Sequence, residues 1–160
     1  MSAPRPPSPP VPQPIVAQRR LRLAESIDRV YAFVTHHESL PTWLPPVRSV
    51  RVDRSRADEL GVGALRVVNP GTAAEARETV VWAAPPHGFA YRADDASLHG
   101  LLTEHTSVFE LQAAGLAHTD LAWTIHGRLP RGVRGAVGRA VMATVLRLGA
   151  RGLRRRFNPR

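Results

Sequence analysis

Four side chains in the middle of this 160-residue chain could carry acid–base chemistry: Arg66, Glu78, Tyr91 and His105. Each falls in a stretch that reads as a strand, and strand alternation decides which way it faces. His105 shares a face with Thr103, Ser107, Phe109 and Leu111, and the last two mark that face as inward. A histidine there is either a hydrogen-bonded core residue or a base suited to removing a proton alpha to a carbonyl. Glu78 shares a face with Val80 and Trp82, and Arg66 lies on the neighbouring strand. The two form an ion pair that avoids a bare buried charge, or they hold and orient a substrate carbonyl or enolate. Tyr91 is a core aromatic with a satisfied hydroxyl, or a donor to a ligand oxygen.

The composition closes off much other chemistry. The chain has no Cys, and all 22 of its basic residues are Arg. Disulfides, thiolate catalysis, iron–sulfur clusters and cysteine zinc sites are therefore excluded, as are a lysine Schiff base and a Walker-type lysine. His118, Asp120 and His126 could suggest a metal, but they share a strand face opposite Leu121, Trp123 and Ile125 and read as surface polar residues. No metal and no cofactor is expected.

The elements that must position the four groups are legible from the apolar pattern. Seven prolines within residues 1–14 mark a disordered, polyproline-like tail. Ile15–Leu23 reads as a strand, and Ser26 as the cap of a short helix carrying Val30, Tyr31, Phe33 and Val34. A second short helix starts at His36 and is cut off by Pro41, Pro45 and Pro46. Strands are then expected over Val47–Asp53, Ala64–Asn69, Ala76–Ala84, Gly88–Asp94, Leu101–Gln112 and Thr119–Leu129. No helix-length segment separates them, which predicts an antiparallel meander. One long helix follows, over Val133 to Phe157, with Val133, Val137, Ala140, Val141, Thr144 and Leu148 as its expected core stripe.

Charge is uneven. Residues 128–160 carry ten Arg and no acid, whereas residues 23–127 carry eight Arg against 13 acids. A solvated helix end accounts for this, since cations suit a helix C-terminus. Nucleic-acid or membrane-surface contact through Arg151, Arg154, Arg155 and Arg156 ranks behind it. No run reaches the roughly 18–20 apolar residues of a membrane span, and no secretory pattern opens the chain. A cytoplasmic protein is expected.

Several segments, in order, match a known family. These are Ser26–Val34, Leu40-Pro41-Thr42-Trp43-Leu44-Pro45-Pro46-Val47, Gly61-Val62-Gly63 with Arg66, Glu78–Trp82 through Pro85 to Phe89-Ala90-Tyr91, and Leu121-Ala122-Trp123. Over residues 15–157 the sequence resembles the START/Bet v 1-like (SRPBCC) superfamily, in its polyketide cyclase/dehydrase and lipid-transport branch. The resemblance implies an α+β helix-grip fold: a curved antiparallel sheet with two short helices, wrapped around the long C-terminal helix. It also implies an apolar cavity holding a lipid, a polyketide or a similar molecule. Arg66, Glu78, Tyr91 and His105 are then the candidate catalytic groups. Trp43, Trp82, Phe109, Trp123, Val141 and Val145 are the candidate ligand-binding residues, and the tryptophans equally suit core packing. His36 and His37 fall near the cavity mouth and read as exposed loop histidines. Two functions remain open, a cyclase or dehydratase of secondary metabolism and a non-catalytic carrier.

Overall fold

The computed structural model describes residues 9, 11–71 and 74–159. Most of the proline-rich segment and the last residue of the basic end at 158–160 lie outside the described residues. Strand β1 (Ile15–Leu23) leads into helix α1 (Ile27–Thr35), a 3-10 turn (His37–Ser39) and the one-turn helix α2 (Leu40–Trp43). Six strands follow: β2 (Ser49–Asp53), β3 (Leu65–Asn69), β4 (Ala76–Ala84), β5 (Gly88–Ala93), β6 (Thr103–Ala113) and β7 (Thr119–Arg128). Helix α3 (Val133–Phe157) closes the chain.

The seven strands form one antiparallel sheet in the order β1-β7-β6-β5-β4-β3-β2. Strands β2 through β7 follow one another as a meander, with a long loop (residues 54–64) between β2 and β3 and a 3-10 turn (Asp95–Leu98) between β5 and β6. Strand β1 pairs with β7 because the two short helices carry the chain across. This is the α+β helix-grip arrangement, with α3 held against the sheet's concave side. Leu23, Val30, Leu102, Phe109, Trp123, Leu146 and Leu153 are buried at its centre. Ser26 takes the N-cap position of α1 without a side-chain capping bond; its own N–H donates instead to Glu25 Oε1 at 2.8 Å.

Helix α3 corrects the expected core stripe. Val133 is 81% exposed, and Val137 and Val141 also face solvent. The buried face carries Gly135, Gly138, Met142, Leu146, Gly149, Ala150, Leu153 and Phe157. Small residues let the helix backbone come close to its neighbours, and that close approach outweighs the valine periodicity. A Cβ at Gly152 would overlap the Trp43 carbonyl oxygen, and one at Gly138 the Leu101 carbonyl oxygen.

Strand β4 corrects a second orientation. Its pairing with β5 shifts register between Val80 and Trp82, so Val80 opposes Tyr91 while Trp82 opposes Ala90. One extra residue in a strand reverses alternation beyond it. Trp82 therefore leaves the face of Glu78 and Val80 and lies over Gly88 in a groove with Arg20, Glu110 and Ala122.

Candidate functional site

The register of three adjacent strands gathers the candidate groups. Arg66 on β3 pairs directly with Glu78 on β4, so their side chains emerge together, and Arg66 Nε donates to Glu78 Oε2 at 2.5 Å. The Arg66 guanidinium carbon sits 3.7 Å from the centroid of the Tyr91 ring on β5. His105 on β6 lies beyond, its ring 5.8 Å from that of Tyr91, and its Nδ1 accepts from the Ala93 N–H at 3.2 Å. Arg66, Tyr91 and His105 are buried, and Glu78 nearly so.

Electrostatics follows from this burial. Burial opposes the charge on Arg66, but Glu78 and Tyr91 outweigh it and hold the guanidinium pKa above its ordinary value. Burial, then the Glu78 carboxylate, pushes the Tyr91 phenol up, so it stays protonated. Burial and then Arg66 lower His105 to about 4, leaving a neutral imidazole at neutral pH.

One histidine expected to be exposed is part of the cluster. His37 is 8% exposed, its ring is 5.9 Å from that of Phe89, and its Nδ1 lies 3.3 Å from Arg66 Nη1. An arginine only donates, so Nδ1 accepts and the ring proton of neutral His37 resides on Nε2. The one hydrogen bond of the His37 ring among the described residues is this contact through Nδ1. Burial and then Arg66 lower His37 to about 3. The inward turn comes from the 3-10 segment: Ser39 Oγ donates to the Phe33 carbonyl and accepts from Trp43 Nε1, which pins Ser39 inward beside His37. Those partners, Ser39 and Trp43 four residues apart, were the signal available in the sequence. His36, by contrast, is exposed beside Glu38, as expected.

A cleft of about 480 Å³ opens on His37. Tyr31, Val80, Ala83 and Phe89 form its apolar walls, and Asp58–Gly61 of the β2–β3 loop form its rim. Ala83 is there because the β4 bulge that turned Trp82 away turned Ala83 in. The loop is held in place. Arg54 makes two bonds to Glu38, at 2.7 and 2.9 Å, and chiefly for that reason the Glu38 carboxyl falls to about 2. Asp58 Oδ1 accepts from the N–H groups of Leu60 and Val62, both at 2.9 Å. Gly63, at φ +97°, donates to the Val80 carbonyl where a Cβ would meet the Arg56 carbonyl; the Gly61-Val62-Gly63 segment thus fastens the rim to the wall.

The proposed ligand contacts divide. Trp43, Phe109 and Trp123 are buried in an aromatic stack: Phe109 lies 4.7 Å from both Phe89 and Trp123, and Trp43 meets Trp123 edge-on at 5.8 Å. Gly149 brings α3 against both tryptophans, so this part of the interior is filled with side chains. Val145 is half-buried against the core, whereas Val141 faces solvent and Trp82 the opposite side of the sheet. Asp120 is paired with Arg22, and His126 Nδ1 contacts the Gln13 carbonyl oxygen at 2.9 Å. Among the described residues no group of three His, Asp or Glu side chains could hold a metal.

A curved antiparallel sheet gripping a C-terminal helix, with a cleft between the first helix and the β2–β3 loop, defines a helix-grip protein of the START/Bet v 1-like class. Residues 16–158 match the family described as polyketide cyclase / dehydrase and lipid transport, and the chain belongs to it. Solved structures share the fold at low identity. A START superfamily protein from Mycobacterium smegmatis is 16% identical, with TM-score 0.72 over 89% of this chain and 96% of that one. The protein XoxI from Bacillus cereus is 14% identical, with TM-score 0.72 over 89% and 95%. The di-domain ARO/CYC StfQ from the steffimycin biosynthetic pathway is 15% identical, with TM-score 0.65 over 87% of this chain and 47% of that one. No curated protein matches the sequence.

Proposed function

We propose that the protein binds a hydrophobic small molecule of the polyketide or lipid class in the cleft, through a carbonyl or hydroxyl oxygen that accepts from His37 Nε2–H. The observation that carries this reading is the pairing of His37 Nδ1 with Arg66 at the floor of a cleft whose walls are apolar and whose charged residues, Arg54, Asp58 and Glu59, belong to the β2–β3 loop at its rim. It makes His37 a neutral donor, whereas a carboxylate ligand would call for a cation at that spot. Apolar walls with few convergent polar groups are what small-molecule sites use.

Catalysis is the second reading, favoured by the buried ionisable cluster behind His37. Perturbed groups packed at a cleft mark functional sites more often than a passive wall requires. In this reading His37 polarises a ketone, and Glu59 on the rim takes the alpha proton. The enolate carbon then bonds to a second carbonyl carbon, the proton returns to the new alkoxide, and loss of that hydroxyl with a proton releases water. Carbon skeleton and electrons balance without a redox partner. Arg66, Glu78, Tyr91 and His105 act here through His37, because none of the four lines the cleft.

Native mass spectrometry of protein isolated from its own host, followed by denaturing extraction, tests the binding reading. A co-purifying hydrophobic molecule that is absent from the His37→Ala variant is the expected result. Equal retention by that variant would overturn the role of His37. Glu59→Gln then separates the readings, abolishing turnover of the extracted precursor if the protein is a catalyst and changing nothing if it is a carrier.

A further inference from the structure

The exposed valines of α3 and four of its seven arginines lie along one face. Eighteen residues make five turns, so Arg151 stands over Val133 and Arg155 over Val137 along the same helix face. Val133, Val137 and Val141 form the apolar half of that face, 81%, 45% and 37% exposed. Arg147, Arg151, Arg154 and Arg155 form or flank its basic half, all exposed, and among the described residues none has a carboxylate partner. No acid occurs anywhere from residue 128 onward. The face is therefore uniformly cationic at one end and aliphatic at the other, along about 33 Å at 1.5 Å per residue.

We propose that this face of α3 docks the protein onto an anionic lipid surface, valines at the acyl boundary and arginines on headgroup phosphates. Charge complementarity calls for an anionic partner. The valines decide between anionic partners. A duplex phosphate backbone offers aliphatic side chains nothing, whereas a bilayer interface takes up an amphipathic helix with basic and apolar parts. Among the described residues no helix is long and apolar enough to cross a membrane, so α3 would lie on the surface. The proposal stands on α3 alone and does not depend on the cleft's ligand.

Flotation of the full chain with phosphatidylcholine vesicles, with and without about one-third phosphatidylglycerol, tests it. Binding is expected only with phosphatidylglycerol and is expected to weaken steeply between 50 and 300 mM salt. Arg151→Gln with Arg154→Gln and Arg155→Gln should weaken it about a hundredfold. The uncharged pair Val133→Ser and Val137→Ser should weaken it severalfold while circular dichroism and the unfolding midpoint stay put. Binding that ignores the valine pair, tighter binding to a 20-base-pair DNA duplex than to vesicles at the same salt, or dimers that the valine pair dissolves would each overturn the proposal. His37→Ala should leave vesicle binding unchanged, which separates failure here from failure at the cleft.

Discussion

The two flanks of the concave sheet face are built on opposite terms. Toward β1, β7 and α3 the interior is apolar and closed: Trp43, Phe109 and Trp123 stack under a helix face of glycines. Toward β3, β4 and β5 it holds an arginine, a glutamate, a tyrosine and two histidines, with a cleft beside them. A buried ion pair is a poor way to stabilise a fold, since apolar side chains of similar volume often do as well or better. The polar flank thus reads as the part kept for a ligand, and the aromatic flank as the part that keeps the sheet on its helix. Comparing losses on the two flanks tests that division.

The largest loss is expected at Arg66. Arg66→Ala strands Glu78 in a nearly dry site and removes the guanidinium from Tyr91, which should cost about 3–5 kcal/mol in denaturant unfolding. Replacing both members, Arg66→Met with Glu78→Leu, should restore most of that stability while leaving His37 without its donor. If the double variant is stable and still binds ligand as the native chain does, the polar flank is structural and the division fails.

On the aromatic flank Gly152→Ala is the counterpart. Its Cβ would meet backbone atoms of Trp43, which cannot swing aside as a flexible side chain could, so a loss of about 3 kcal/mol is expected. The difference between the flanks should show in rescue. No second substitution at a neighbouring side chain removes a clash with a carbonyl oxygen, so this loss should persist where the Arg66 loss is reversible.

A smaller effect comes with pH. His37 and His105 have folded pKa values lowered from 6.5 to about 3 and about 4, so the native state refuses protons that the unfolded chain accepts. Stability therefore holds above pH 6.5 and declines as pH falls toward 4, where the unfolded state binds more protons. Each histidine should account for roughly 2 kcal/mol of the decline between pH 7 and 4.5. Unfolding curves across that range, repeated with His37→Gln and with His105→Gln, should each recover part of it. An unchanged slope in both variants would show that neither ring is held neutral.

How much of this was legible in the sequence follows the same division. Strand alternation pointed Glu78 and His105 inward, and both lie there, His105 even though β6 shifts register against β7 between Thr103 and Thr106 beside it. Alternation failed at Trp82, where a bulge inserts one residue that no pattern of hydrophobicity announces. Helical periodicity failed on α3 for a different reason. It followed the valines, whereas the buried face runs through Gly135, Gly138, Met142, Leu146, Gly149, Ala150, Leu153 and Phe157, whose glycines carry no apolar side chain to mark it in the first turns, so the valines went outward. His37 was missed because a 3-10 turn has neither periodicity, and only the Ser39–Trp43 contact reveals its direction. The cleft was out of reach altogether, since it depends on how the β2–β3 loop is strapped by Arg54 and Glu38.

The smallest expected change in stability is the most informative about the site. His37→Gln keeps an amide donor and should cost under about 1 kcal/mol, yet the shorter reach of the amide takes that donor out of line with the ligand oxygen, so binding should weaken up to about tenfold, the value of one well-placed hydrogen bond. The tautomer can be read without any ligand. Nitrogen-15 spectra of the His37 ring should report the proton on Nε2, with no titration from pH 8 down to about pH 4, because burial and Arg66 hold the ring neutral. Arg66→Met with Glu78→Leu removes the one donor that fixes Nδ1 as acceptor, so the two tautomers should then mix, and the ring pKa should rise while burial still holds it below its ordinary value. A proton found on Nδ1 in the native chain would mean that Arg66 does not set His37. The polar flank would then hold an ion pair with no line of influence to the cleft, and the case for the cleft as a polar-anchored site would lose its footing.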